Sequence, residues 1–318
     1  MQCIVCENIL PNEHKLNYND ALYNKEYKLY HCNFCHTEFF YPNEAINREY
    51  YEDENKLLNT EFLLGRDTLA PRHDCFFLKF PIKHGKLLDI GCADGLFMKH
   101  SIKIGFDSWG IDFNRKIIEK VQNSGLMNVY SLTPEELLKG HDNKFDVITV
   151  FEVLEHQSLP RDFMESIKCL LKKGGYIAGS VPNRHRFRST MTSTEYPPHH
   201  FLWFDKKSLR NFLRMQGFDN IQIFFTKGIY YPNYLVNIGD LLRKFLFKTS
   251  GKQNRINEDL LKKFNPSIKK RNILYFKFIK NIMLSVLLPY NLFSIFTGWN
   301  TELYFQARLK DGHSPNSN

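Results

Sequence analysis

Residues 87–95 read LLDIGCADG, and this stretch decides the fold. Leu87, Leu88 and Ile90 around Asp89 form an apolar run of strand length, Gly91 and Gly95 mark a turn, and Leu96 and Phe97 open a helical pattern. Glycine carries no Cβ, so such a turn lets backbone come close to a ligand, while the helix behind it points free N–H groups into the crevice. A nucleotide-like ligand is the expectation.

Downstream, apolar strand-length runs alternate with helical patterns, which argues for a parallel sheet covered by helices on both faces. Strands are expected at 87–90, 108–112, 128–131, 145–150 and 176–181. Pro160 to Lys173 reads as a helix, with proline at its start, lysines in its last turn and Gly174 after it. Asp112 closes the second strand, 23 residues after Asp89. In dinucleotide-binding folds an acidic residue at that place accepts hydrogen bonds from ribose hydroxyls. A helix N-cap for Asn114 onward is the other role open to it, and the two can coexist.

Upstream, Cys3 and Cys6 form one CxxC pair and Cys32 and Cys35 a second, after a gap of 25 residues. Four thiolates at this spacing suit a tetrahedral structural zinc, and a segment this short has little core of its own. His31 and His36 flank the second pair and could replace a thiolate, but the regular CxxC spacing favours them as spectators. Short strands are expected at Tyr27–Tyr30 and Glu38–Tyr41. Glu44 to Phe80 reads mainly helical, interrupted near Ala70 and Pro71, with Tyr50, Tyr51, Arg66 and Arg72 either covering a ligand pocket or lying on a solvated face.

The 318 residues carry a formal charge of +9. Its location matters: Leu241 to Lys280 holds twelve Lys or Arg against Glu258 and Asp259, an excess of ten that accounts for the whole imbalance. The N-terminus has no basic, apolar secretory pattern, and the paired cysteines suit metal in a reducing compartment, so a cytoplasmic protein is expected.

These residues as a set resemble the class I S-adenosylmethionine-dependent methyltransferases. LLDIGCADG is similar to their first motif, GIDFN (110–114) to the second-strand acidic motif, FDVITVFEVLEH (145–156) to the fourth-strand motif, and LKKGGYIAGSVPN (171–183) to the fifth strand and its preceding turn. The ribbon before the domain and HHFLWFDKKSLRNFLRMQGF (199–218) resemble a subgroup with an N-terminal zinc ribbon. The resemblance implies an α/β fold, a Rossmann-like seven-stranded methyltransferase sheet with an N-terminal zinc ribbon and a helical insert before the last strand. The implied domains are a ribbon at 1–42, a helical connector or cap at 43–84, the core at 85–227, the insert at 228–300, the final strand at 301–310 and a tail at 311–318.

By that resemblance the loop of Asp89, Gly91, Cys92, Ala93 and Gly95 cradles the methionine part of S-adenosylmethionine. Asp112 takes the ribose, Phe113 packs near the adenine beside Leu132 and Thr133, and Phe151 and Glu152 border the methyl group. Ala93 stands where the family usually has glycine. Two segments are candidate catalytic groups. Glu152, Glu155 and His156 form an ExxEH arrangement similar to the divalent-metal motif of ubiquinone-pathway O-methyltransferases and small-RNA 2′-O-methyltransferases, and carboxylates with an imidazole suit Mg2+ or Mn2+. A helical turn through them would put all three on one face. His199 and His200 follow Pro197 and Pro198, and one of them is placed as a general base or a fourth metal ligand, with a purely structural role as the alternative.

Some seventy residues, Gly228 to Asn300, separate the expected sixth and seventh strands. They run from the basic stretch into an apolar one, 282–299, that Pro289 and Asn291 interrupt, which argues against a membrane span. Three readings stand: peripheral contact with an anionic membrane through 241–299, on its inner face; a lid over the substrate cleft; or, least favoured, nucleic-acid binding. The expected reaction is O-methylation of a glycan or small-molecule hydroxyl. The alternatives are C-methylation of a nucleotide-linked sugar and an RNA-binding or RNA-methylating protein.

Overall fold

The computed structural model describes residues 1–11, 13–20, 24–44, 69–140, 144–186, 195–226 and 302–311. Two sheets organise them. The first is antiparallel: β1 (Leu16–Asp20), β2 (Lys25–His31) and β3 (Glu38–Tyr41) follow each other, and a two-residue strand from far downstream, β9 (Leu202–Trp203), completes it in the order β1-β2-β3-β9. The ribbon sheet therefore does not close within 1–42.

The second sheet has seven strands: β4 (Gly85–Ile90), β5 (Phe106–Ile111), β6 (Val129–Tyr130), β7 (Phe145–Phe151), β8 (Leu171–Pro182), β10 (Phe218–Phe225) and β11 (Glu302–Leu309). Their order is β10-β11-β8-β7-β4-β5-β6. Pairs within β8-β7-β4-β5-β6 are parallel, whereas β11 runs antiparallel to both its neighbours. Leu87, Leu88, Val147, Ile148 and Val150 are buried on this sheet, which is why its strands read as apolar runs rather than alternating patterns.

Helices α1 (Pro71–Lys79), α2 (Leu96–Lys103), α3 (Arg115–Asn123), α4 (Pro134–Gly140), α5 (Pro160–Leu170) and α6 (Lys206–Met215) join or cover the strands. α6 begins on a capping box between Asp205 and Ser208. α5 stops at Leu170, short of the expected Lys173, because the buried Leu171 already pairs with Phe145 of β7; Lys172 beyond it meets both carboxylate oxygens of Asp146, at 2.9 Å each. Gly174 then turns with φ +67°, and its carbonyl accepts from Arg308 Nε at 3.1 Å.

Of the expected cap only residues 69–84 are described, and they carry α1; Tyr50, Tyr51 and Arg66 lie outside the described residues. Arg72 is held by Glu302 at 2.8 Å, tying α1 to the start of β11. The insert at 228–300, with the basic and apolar stretches, and residues 312–318 of the tail also lie outside. No helix among the described residues is long and apolar enough to cross a membrane.

Candidate functional site

At the carboxyl ends of β4 and β5 the chain builds the expected crevice. Gly91 has φ +76°, and a Cβ there would meet Val153 Cγ2 at 2.8 Å, so only glycine lets the chain leave β4 this way. Ala93 also adopts positive φ, +44°, and its N–H donates to Asp112 Oδ2 at 3.2 Å. Asn114 N donates to the other oxygen of Asp112 at 2.9 Å. The N-cap of α3 is Asn114, which accepts from Ile117 N at 3.1 Å, so Asp112 is not needed as the cap.

A cavity of about 490 Å³ opens here, lined among others by Gly91, Asp112, Phe113, Leu132, Thr133 and Phe151. Asp89, Cys92, Ala93 and Gly95 shape the turn and are outside the cavity lining. Asp89 is buried and accepts from Thr149 Oγ1 at 2.6 Å; burial pushes its carboxyl up to about 7 against that bond, with Asp112 and Asp94 adding to the rise. Burial also raises Asp112, opposed by its two backbone donors. A buried and a half-buried carboxyl beside an apolar crevice suit a ligand that brings hydroxyls and positive charge.

Glu152 and His156 line the same cavity at the end of β7. Glu152 has φ +55° and is not part of a helical turn; its Oε1 accepts from Ser180 Oγ at 3.0 Å. Its carboxyl is pushed up to about 8, by burial first and by Glu302 second, with Arg72 opposing. The helical turn begins only at Leu154 and is a single 3-10 turn, Leu154–His156. The donor groups that converge are therefore Glu155, His156 and His200, whose ligand atoms all lie within 4.8 Å of one another. The expected single face of Glu152, Glu155 and His156 does not form.

Glu155 is buried, and neither of its carboxylate oxygens has a hydrogen-bond partner among the described residues. Burial, then Glu152, raises its pKa well above the carboxylate range. His200 Nδ1 is likewise buried without a partner. The rings of His156 and His200 meet edge to face at 4.6 Å. His156 Nδ1 lies 2.7 Å from the carbonyl of His199, which fixes the proton on Nδ1 and leaves the Nε2 lone pair available. Burial lowers His156 to about 4 and His200 to about 2, so both are neutral near pH 7, the form that ligates a metal. His199 contributes its backbone to this arrangement. Sequence spacing links Glu155 to His156, and the His199–His200 pair is the expected source of a further ligand; of the two it is His200 whose ring joins the cluster.

In the ribbon, all four thiols are free and within 4.8 Å of one another; Cys3 Sγ is 3.7 Å from Cys35 Sγ, and Cys6 Sγ is 3.5 Å from Cys32 Sγ. A tetrahedral ion with metal–sulfur bonds of about 2.3 Å needs sulfurs roughly 3.8 Å apart, so the set fits zinc. The two CxxC turns are copies of each other. Glu7 N donates to Cys3 O at 2.9 Å and His36 N to Cys32 O at 2.8 Å, and Glu7 and His36 both have positive φ, +60° and +64°. His31 and His36 are not part of the thiol cluster.

Residues 66–223 match a family model described as a methyltransferase domain. A ubiquinone biosynthesis O-methyltransferase from Roseobacter denitrificans is 35% identical over 109 residues, which is 33% of this chain and 44% of that protein. The chain spans about half the length, or less, of the curated relatives it matches. Among solved structures, a Thermotoga maritima SAM-dependent methyltransferase, described as a possible histamine N-methyltransferase, has a TM-score of 0.51 at 14% identity, covering 83% of this chain and all of that one. Haemonchus contortus phosphoethanolamine N-methyltransferase 2, solved with S-adenosyl-L-methionine, has a TM-score of 0.50 at 16% identity, covering 86% of this chain and 62% of that one. At such identities the likeness is one of fold.

Proposed function

We propose, from the premise that residues 66–223 are a class I methyltransferase domain, that this chain transfers the methyl group of S-adenosylmethionine to a hydroxyl of a small-molecule acceptor, assisted by a divalent cation. The observation that carries the cation and the hydroxyl is the buried Glu155 carboxylate, which has no partner among the described residues and faces His156 and the Nδ1 of His200, likewise unpaired among them, beside the cavity. A buried carboxylate left this way is costly unless it is protonated or meets a cation. The name of the curated relatives, O-methyltransferases, agrees with a hydroxyl acceptor. Sugar hydroxyls of a glycan fall within the same acceptor class.

The sulfonium methyl is already activated, so the residues mainly orient the partners and manage one proton. Asp112 accepts from ribose hydroxyls, Leu132 and Thr133 wall the adenine side with Phe113, and Phe151 with Glu152 borders the transfer region. A divalent cation held by Glu155, His156 and His200 would lower the pKa of an acceptor hydroxyl near it. Glu152, raised to about 8 and fixed by Ser180, can take the released proton in its ionised form, which grows as pH rises toward 8. Cys3, Cys6, Cys32 and Cys35 would hold a closed, structural zinc.

Labelled methyl transfer into fractions of a cell extract tests this reading, with wild type and Glu155→Gln compared under chelation and after Mg2+ or Mn2+ is added back. Label in hydroxyl-bearing small molecules, lost with chelator and in Glu155→Gln, is expected. Transfer indifferent to both removes the cation, and label confined to RNA removes the acceptor class.

A further inference from the structure

The ribbon and the Glu155–His156–His200 cluster are joined by one very short strand. β3 pairs with β9, Glu38 facing Trp203 and Phe39 facing Leu202. Just before β9, Phe40 N donates to Phe201 O at 2.9 Å, and Phe201 N donates to the carbonyl of Glu155 at 2.8 Å. Phe201 directly follows His200. The residue next to the histidine is thus pinned on one side by the ribbon and on the other by the backbone of Glu155.

Side chains strengthen the same junction. Arg184 Nε donates to Glu38 Oε2 at 2.7 Å, and its guanidinium lies 4.4 Å above the Trp203 ring. Trp203 meets Phe40 edge to face at 4.9 Å. Asn211 Nδ2 donates to the carbonyl of Cys35 at 3.3 Å, a direct link from α6 to a thiol-bearing turn. Cys3, Cys35 and Phe39 share one buried cluster with Leu202, Phe204 and Phe212. A two-residue strand has little intrinsic preference for its place and takes it from its partner. The partner here is a small ribbon whose order depends on its metal.

We infer that the ribbon is a positioning element for His200: with its four thiolates holding zinc, β3 fixes β9 and so sets the His200 ring against His156 and Glu155. With the thiolates empty, β9 loses its sheet partner and the three donors drift apart. The consequence for affinity rests on the proposed reading of those donors as a cation site. Occupancy of the sulfur-lined site then governs affinity at a second, chemically different one.

The test uses the full chain, zinc-loaded wild type against Cys32→Ser, with Mn2+ titrated by electron paramagnetic resonance and the His156–His200 ring contact read by nuclear Overhauser effects. S-adenosylmethionine binding reports that the β4–β5 crevice is intact. Removing a supporting partner of a metal ligand weakens binding by roughly 10–100-fold, and a loss on that scale is expected in Cys32→Ser together with loss of the ring contact. Equal Mn2+ affinity and an unchanged ring contact in both proteins overturn the inference. Failure of zinc-loaded wild type to bind Mn2+, with a ring contact that still depends on the thiolates, overturns the cation reading but leaves the positioning role standing. If Cys32→Ser does not fold, Arg184→Ala decides. It keeps all four thiols and cuts the contacts to Glu38 and Trp203; weaker Mn2+ binding with a loosened ring contact supports the inference, and no change in either overturns it.

Discussion

At the scale of single residues, the chemistry gathers where burial and partners disagree. Glu155 is buried with two oxygens that have no partner among the described residues, whereas Asp112, half-buried, uses both of its oxygens on backbone donors. A ligand that binds only the folded state at a hundred times its Kd stabilises by about 2.7 kcal/mol. Mn2+ at that level is expected to raise wild-type stability by this amount in urea unfolding and to leave Glu155→Gln unmoved. Asp112→Ala should weaken S-adenosylmethionine binding in calorimetry by about 1.5–3 kcal/mol, the worth of hydrogen bonds to a charged group; undiminished affinity would remove the ribose assignment. His73, between Phe97 at 5.2 Å and Phe151 at 4.8 Å, has its pKa lowered to about 3, by burial first and by Arg72 and His100 after it. The unfolded chain takes up that proton near pH 6.5, so between about 3 and 6.5 it holds more protons than the fold and stability falls as pH drops. Between pH 7 and 5 the loss is about 2 kcal/mol, and His73→Phe should flatten that limb of the urea-unfolding profile.

At the scale of elements, α6 is the clearest case of a local signal fixing a structure. Asp205 accepts from Ser208 N at 2.7 Å and its own N–H donates to Ser208 Oγ at 2.9 Å. Asp205→Ala is expected to cost about 1 kcal/mol in urea unfolding. The parallel strands were legible for a similarly local reason, since strands covered on both faces must be apolar throughout. Two elements were not legible. β9 is two residues within an aromatic run, FLWF, whose pairing is decided by Glu38 and Phe39 more than 160 residues earlier. The end of α5 looks helical because lysines before a glycine are a common helix terminus, yet Leu171 is buried against Phe145 and starts the next strand. The site repeats the lesson. Spacing suggested that Glu152, Glu155 and His156 share a helical face, but the positive φ of Glu152 delays the turn to Leu154, and His200 arrives through β9. Sequence periodicity reports what one element needs; it carries no record of which elements meet.

At the scale of the molecule, the register of β10 and β11 places Phe225 opposite Leu303, and Thr226 N donates to Glu302 O at 3.2 Å. The two ends of the intervening chain are thus a hairpin's width apart. Replacing 229–300 by a turn of about four residues should leave the seven-stranded sheet and S-adenosylmethionine affinity intact by circular dichroism and calorimetry, and loss of that binding would tie the segment to the crevice. The interior place of β11 also bears on synthesis. Each strand emerges from the ribosome in chain order, yet β11 must slot between β8 and β10, both made earlier. Until residues 302–309 appear, β8 and β10 each offer a row of unpaired backbone groups, the kind of edge on which chains stick to one another. A ribosome that stalls anywhere in the long stretch after Phe225 therefore holds a nascent chain with two open edges, and messages that slow translation there should raise aggregation more than equal delays within β4 to β7.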